Sequence, residues 1–255
     1  MSTNLGISQH GNDQYVVTVG DLVLHTNMGG HHPVMHKNRR FLENLVEELS
    51  LRGAVTYSDG EVTGPQGFDS YSLFSLQKDW VEPGRDNLTT DFIAEMIHEP
   101  LLETSASPET WQILPFKDSV NSWLSEMGVR LIDLDYVNHE LIDGVPDGHF
   151  RMNGNMGDDD QDAFAALVTE LTNLYSSFSV EQKSVATYLT NISDHFMIYS
   201  LRLAAGKCSP EEYGMAFAAA TLYDPSEDEF QAQAKHVSML AERAVRFLEL
   251  SSSSS

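Results

Sequence analysis

A short run of histidines contains the residue types that could bind a metal. His31, His32 and His36 lie within the stretch 29–36, GGHHPVMH. Imidazoles at such close spacing can share one divalent ion, which could then activate a water molecule. A catalytic site also needs a base, and no H-E-x-x-H or Cys/His pattern accompanies these residues. We predict no metal and no cofactor, and keep a metal-dependent enzyme built on these histidines as an alternative.

Acidic side chains are the second set of residues that could bind an ion. The run DDDQD at 158–162 lacks the glycine turn and terminal glutamate of a calcium-binding EF-hand loop. Acids in a first helical turn are favoured by the helix dipole, so we interpret the run as a solvated helix start. The single cysteine, Cys208, excludes an intramolecular disulfide and a thiolate metal cluster.

The charge of the chain restricts its partners. Its 255 residues include 15 Lys or Arg and 38 Asp or Glu, a formal net charge of −23. Such a surface repels phosphate backbones and anionic lipid headgroups, whereas a basic protein patch would match it. No apolar stretch approaches the ~18 residues of a membrane span. We predict a protein partner, no nucleic acid and no membrane insertion.

Sequence motifs of enzymes are also missing. The chain has no G-x-G-x-x-G, no G-x-x-x-x-G-K-[ST] and no G-x-S-x-G pattern, so we predict a protein without catalytic residues. The first thirty residues carry Asp13 and Asp21 but no Lys or Arg, whereas a transit peptide is Arg-rich and poor in acids. We therefore expect no transit peptide within this sequence.

The amino-terminal half mixes strand and helix patterns. Alternating β-branched residues in YVVTVGDLVLH, at 15–25, predict a hairpin that turns at Gly20 and Asp21. Helical spacing, caps and breakers predict the remaining elements. They are helices over 38–51, over 90–102 with a break at Pro100, after Ser107-Pro108 and around 120–127, and strands over 54–57 and 129–137.

The carboxy-terminal half is almost purely helical in pattern. We predict helices over 164–175 and 185–203, a helix capped by Ser209 and Glu212, and a last helix that begins in a capping box at Ser226 and Glu229. The fold class is α+β, with a small α/β domain at 1–140, an all-α bundle of four helices at 141–250 and a disordered serine tail at 251–255.

Several segments occur in an order that is typical of one family. They are GDLVLHT at 20–26, FLENLVEELSLRG at 41–53, SYSLFSL at 70–76, a stretch at 108–128 with Gln112, Trp123 and Gly128, a helix pair at 186–213 and FLEL at 247–250. Together they resemble the F(1)-ATPase assembly chaperones that bind the alpha subunit. Leu49 stands where that family has a tryptophan.

The resemblance implies a non-enzymatic chaperone that shields the free alpha subunit until the beta subunit replaces it. It implies the mitochondrial matrix in a eukaryote or the cytoplasm in a bacterium. The family carries an acidic residue, a glutamine and a Trp-Gly pair after the penultimate helix, where this chain has LYDPSEDEFQ at 222–231. The missing Trp-Gly pair keeps a structural subunit of a larger complex as an alternative. The candidate partner-binding residues are Asp224, Glu227, Asp228, Glu229 and Phe230.

Overall fold

A computed structural model describes most of the chain. It covers residues 4–52, 55–58, 60–67, 69–102, 113–132, 158–193, 196–222 and 225–252. The predicted helix start at Ser107, the domain boundary at 140–141 and Asp224 lie outside the described residues. The division into two domains therefore stays a prediction.

The described residues of the amino-terminal half form one six-stranded sheet. Its strands are β1 (Leu5–His10), β2 (Gln14–Val19), β3 (Leu22–His25), β4 (Met35–His36), β5 (Thr56–Ser58) and β6 (Glu61–Thr63). The order is β1-β2-β3-β6-β5, with β4 paired to β2, and only β3 and β6 are parallel.

The predicted hairpin is confirmed as β2 and β3. Val19 pairs with Leu22 across a two-residue turn, and Gly20 adopts a φ of 60°, a left-handed value that glycine takes without steric cost. The predicted strand at 54–57 is β5, shifted to begin at Thr56. Strand β1 was not predicted, because LGISQH lacks a clear alternation of apolar and polar residues.

The described helices of this half lie between β4 and β5 and after β6. They are α1 (Arg39–Arg52), α2 (Ser70–Leu76), a π-helical turn (Gln77–Val81), α3 (Asn87–Thr90), α4 (Phe92–Ile97), a 3-10 turn (Pro100–Leu102) and α5 (Leu114–Ser125). Helix α1 is confirmed, and the predicted helix over 90–102 ends before Pro100 because proline cannot continue the ladder of hydrogen bonds. The predicted strand over 129–137 is wrong for its described residues, because residues 129–132 form no strand.

Five described helices form the carboxy-terminal half. They are α6 (Asp158–Ser177), α7 (Val180–Ile192), α8 (Met197–Ala204), α9 (Pro210–Thr221) and α10 (Glu227–Ser252). An α+β fold with a helical carboxy-terminal region is thus confirmed. The predicted continuous helix over 185–203 is wrong, because it divides into α7 and α8 and so gives five helices instead of four.

A distant carboxylate accompanies the break between α7 and α8. Glu99 accepts a hydrogen bond from Ile198 N at 2.7 Å in the first turn of α8, 99 residues away in the chain. Ser193, the residue after α7, bonds Tyr213 Oη at 2.8 Å. Helical spacing of apolar residues continues across the break, so a local pattern cannot reveal it.

The start of α9 shows how tertiary contacts redirect a capping residue. Ser209 Oγ accepts from Glu212 N at 3.1 Å, which confirms the predicted cap. The carboxylate of Glu212 does not complete the capping box. It accepts instead from Arg202 at 2.7 Å and Ser119 at 3.1 Å, because the Arg202 side chain is only 8% exposed and a buried cation needs a counter-charge.

Helix α10 joins the two halves of the chain. It packs on α9 and α7, and also on α1 and α2. The rings of Phe41 in α1 and Phe247 in α10 lie edge to face with centroids 5.4 Å apart, and Asn38 Nδ2 donates to Leu250 O at 2.7 Å. The buried apolar residues of both halves form one cluster. The helix continues through Ser251, which is buried, and Ser252, both of which we had predicted to lie in the tail.

Candidate functional site

The predicted partner-binding acids lie at the first turn of α10. Glu227 and Asp228 are exposed, and Glu227 accepts from Gln231 Nε2 at 2.9 Å. Glu229 has a different role, because its Oε2 accepts from Ser226 Oγ at 2.7 Å and from Ser226 N at 3.0 Å. These bonds lower the pKa of Glu229 and complete the capping box that we predicted. Glu227 and Asp228 are therefore the described acids of this group that face solvent without a capping role.

Phe230 connects this acidic turn to the core. Its side chain is half-buried and packs against the main apolar cluster. Phe230 thus follows the acids directly in the sequence, but part of its side chain is already buried against the core. Whether these residues contact a partner stays a prediction.

The three histidines of the GGHHPVMH segment have separate partners. His31 Nδ1 lies 2.8 Å from Glu61 Oε2, and His32 Nε2 lies 4.0 Å from Asp79 Oδ1. His36 accepts from the backbone N–H of residue 38 at 3.0 Å through Nδ1, and burial lowers its pKa. No group of three or more His, Cys, Asp or Glu side chains is placed to hold a metal within the described ranges.

Cys208 is not an activated nucleophile in this fold. Burial raises the pKa of its thiol to about 12, with Arg202 opposing this shift and Glu212 adding to it. A thiol with such a pKa stays protonated at neutral pH, and only the thiolate attacks or binds metals well. Cys208 packs against the main apolar cluster, as a structural residue does.

A cleft of about 950 Å³ opens between the two halves of the chain. Its walls come from the loop after β3, from the segment that runs from α2 to α4, and from α7. Apolar surface is contributed by Met28, Leu76, Trp80 and Ile192, and polar surface by asparagines and two acids. The cleft is thus built by elements distant in sequence.

The π-helical turn places Trp80 at the cleft. Glu82 N and Arg85 N donate to carbonyls five residues earlier, at 2.9 and 2.8 Å, which widens the helix at this point. The Trp80 side chain is 44% exposed, and its Nε1 donates to Met28 O at 3.0 Å. This bond holds one edge of the indole against the β3–β4 loop while part of the ring faces solvent.

Two acids mark one end of the cleft. Glu95 Oε1 accepts from Asn87 Nδ2 at 2.7 Å, and the same amide donates to Asn191 Oδ1 at 2.8 Å. Asp86 caps α3 and accepts from Tyr175 Oη at 2.7 Å. Asn87 and Asn191, which match glycosylation sequons, are therefore hydrogen-bonded to each other.

The polar wall carries two amide oxygens that accept no hydrogen bond. Asn27 donates through Nδ2 to Gly64 O at 3.0 Å, and Asn87 donates as described above. The Oδ1 atoms of both residues are buried and have no partner in the described structure. A buried acceptor without a donor costs ~1–3 kcal/mol. Both oxygens are shielded from solvent, so neither is exposed on the surface of the cleft.

Sequence reasoning did not find the cleft. Trp80 and Glu95 match no motif, and Asn191 matches only a glycosylation sequon. The three residues converge because α7 packs on α2 and the π-helical turn. One signal was present, since Trp80 is followed by an exposed Glu-Pro-Gly-Arg turn at 82–85 and an aromatic residue beside such a turn is a candidate contact residue.

The fold and the cleft define an α+β protein whose described residues include an open cleft and no group of three or more possible metal ligands. No helix in the described part of the chain is long and apolar enough to cross a bilayer. No protein-family model matches the chain, and no curated protein matches it in sequence. Among solved structures, the chain is similar to that in "Crystal Structure of Atp12 from Paracoccus Denitrificans", with 15% identity and a TM-score of 0.49, over 98% of this chain and 97% of that chain.

Proposed function

We propose that this protein is an assembly chaperone that binds the free alpha subunit of the F(1)-ATPase and prevents its aggregation before the beta subunit replaces it. The observation that carries this proposal is the resemblance of successive segments to the F(1)-ATPase assembly chaperones. Several of these segments fall on elements of the fold. GDLVLHT spans the turn and strand β3, FLENLVEELSLRG includes most of α1, and FLEL lies in the last turns of α10.

The carboxy-terminal part of the resemblance also follows the elements. Residues 186–213 run from α7 through α8 into the capped start of α9. Helix α7 packs on α8, and α9 packs on α10. The segments that resemble the family are therefore packed parts of the molecule, which supports the use of their order as a guide to function.

Charge and exposed apolar side chains support a protein partner. The net charge is −23, and Glu227 and Asp228 project from the start of α10. Leu51 is 84% exposed and Tyr57 is 62% exposed. A subunit removed from an obligate hexamer exposes a large apolar interface, and an acidic surface with apolar contacts can cover it reversibly. We place this activity where the F(1) sector is assembled, in the mitochondrial matrix of a eukaryote or the cytoplasm of a bacterium.

The test is a binding and aggregation assay with purified alpha subunit. We expect a complex that survives gel filtration and a loss of light scattering when alpha is diluted from denaturant into an equimolar amount of this protein. Addition of beta subunit should release the chaperone. Isolated beta subunit and an unrelated aggregating protein serve as controls, and their scattering should not change.

Failure to bind alpha and to reduce its scattering would reject the proposal. A pull-down from native extract that recovers a stable stoichiometric assembly without alpha would instead favour a structural subunit. Equal protection of alpha and the unrelated client would also reject it, because the activity would then be a general effect of an acidic surface.

A further inference from the structure

The cleft between the halves of the chain combines negative charge with aromatic and apolar surface. From this combination, we infer that it binds an arginine side chain presented by the partner polypeptide. This inference rests on the proposed function for the existence of a partner, and it adds the chemistry that one site recognises.

Charge is the first argument for a cationic occupant. Asp86 and Glu95 line the cleft, and no Lys, Arg or His is among its described lining residues. Arg52 packs against Gly67 at the rim, where its charge is balanced by Asp69 at 3.4 Å. Both carboxylates are buried, and no opposing cation is among the described lining residues, so they attract an entering cation through a wall of low dielectric constant.

Aromatic and apolar surface distinguishes arginine from lysine. Trp80 is partly exposed at the cleft, and Tyr188 lines it from α7. A planar guanidinium stacks on aromatic rings and is less strongly hydrated than an ammonium, while its methylene stem packs on apolar side chains. Leu76 and Met28 supply such surface. The cleft therefore favours arginine over lysine.

The test uses the full chain and the tripeptide amide acetyl-Leu-Arg-Leu, with citrulline and lysine analogues. Binding is followed by NMR titration, with the indole N–H signal of Trp80, assigned through Trp80→Phe, as the local readout. We expect the citrulline analogue to bind at least about tenfold more weakly, because it keeps the shape but loses the charge. The lysine analogue should also bind more weakly.

Two substitutions locate the interaction. Glu95→Gln removes the charge, keeps an oxygen for Asn87, and should weaken binding of the arginine peptide at least about tenfold. Asn191→Lys places an ammonium at the same end from an exposed helical position, and should weaken it similarly. Asn12→Lys makes the same change at an exposed turn outside the cleft and should bind as the wild type does.

The outcomes separate this inference from the proposed function. Equal binding of the arginine and citrulline peptides, or of wild type and Asn191→Lys, would overturn the arginine site. Equal binding of the lysine peptide would overturn the choice of arginine. Loss of alpha-subunit binding in Asn191→Lys supports the site as a partner contact. If alpha binds Asn191→Lys and wild type equally, the cleft is not that contact, although the proposed function stands. If the peptide behaves as expected but alpha never binds, the proposed function fails alone.

Discussion

Glu99 is a fully buried carboxyl group whose ionisation is linked to folding. Burial raises its pKa from 4.5 to about 8, although backbone N–H groups of Ile198, Leu101 and Met197 favour the charged form. Because the folded state holds this proton more tightly than the unfolded state, folding takes up a proton between these two pKa values. The contribution of Glu99 to stability therefore falls as pH rises through this range.

We predict that Glu99→Gln removes this pH dependence. For the wild type, the free energy of unfolding should lose up to ~1.4 kcal/mol per pH unit from this group between pH 5 and pH 8. Glutamine resembles the neutral acid, so the variant should gain stability relative to wild type as pH rises. Urea titrations at several pH values measure the difference. A stability difference that does not change with pH would contradict the linkage.

Gly214 is required by close packing in the middle of α9. A Cβ at this position would lie 2.3 Å from Ala234 O and 2.8 Å from Ser238 N, both backbone atoms of α10. These atoms cannot move without displacing the longest helix of the carboxy-terminal half. The absence of a side chain at residue 214 thus sets the distance between two helices.

We predict that Gly214→Ala destabilises the protein by ~1–3 kcal/mol, because overpacking forces the helices apart. Intrinsic helix propensity predicts the opposite sign, since alanine is favoured over glycine by ~1 kcal/mol within a helix. The sign of the change in thermal midpoint therefore decides between packing and propensity. A more stable variant would show that the two helices separate at little cost.

At the scale of elements, Asp79 holds the β3–β4 loop against the π-helical turn. Its side chain is completely buried. Its Oδ1 accepts from Thr26 Oγ1 at 2.7 Å and its Oδ2 accepts from Met28 N at 2.9 Å. The same loop supplies Met28 O to the indole of Trp80. One wall of the cleft therefore depends on the hydrogen bonds that the two oxygens of the Asp79 carboxylate accept.

We predict that Asp79→Asn loosens this loop. An amide can keep only one of the two acceptors and places a donor beside another donor, which costs ~1–3 kcal/mol. Hydrogen exchange should increase at residues 27–32 and around Trp80, with smaller changes in α9 and α10. Exposed Asp13→Asn is the control and should leave exchange unchanged. If these residues exchange at the same rate in the variant and in the wild type, the loop is held by other contacts.

At the scale of the whole molecule, the acid excess should govern the rate of partner binding. Glu227 and Asp228 are exposed at the start of α10 and are two of the acids for which we predict a partner contact. If they contact the alpha subunit, the double variant Glu227→Lys/Asp228→Lys should associate ~10-fold more slowly at low salt. The deficit should shrink at high salt, because exposed charges are screened.

A matched charge change elsewhere controls for net charge. Asp13→Lys/Glu47→Lys alters the total charge equally at exposed positions outside α10. Stopped-flow measurement of both double variants compares local with global effects. An equal slowing by both pairs would mean that only the net charge matters and that the start of α10 is not a contact.

Local patterns in the sequence determined the elements whose stabilising interactions are local. The hairpin at Gly20 and Asp21, helix α1 and the caps at Ser209 and Ser226 were predicted because turn geometry, helical spacing and capping bonds involve residues within a few positions of each other. The fold class followed from the same patterns, and the charge restricted the class of partner.

Tertiary packing decided what local patterns cannot encode. The break between α7 and α8 coincides with a hydrogen bond that Glu99 accepts from Ile198 N. The Glu212 carboxylate accepts from Arg202 and Ser119 and does not complete the predicted capping box. Trp80 and Asn191 line the same cleft although they lie more than a hundred residues apart in the sequence. These outcomes depend on burial and on long-range contacts. A buried charge or a helix end must be hydrogen-bonded, and its partner can be a residue far away in the sequence.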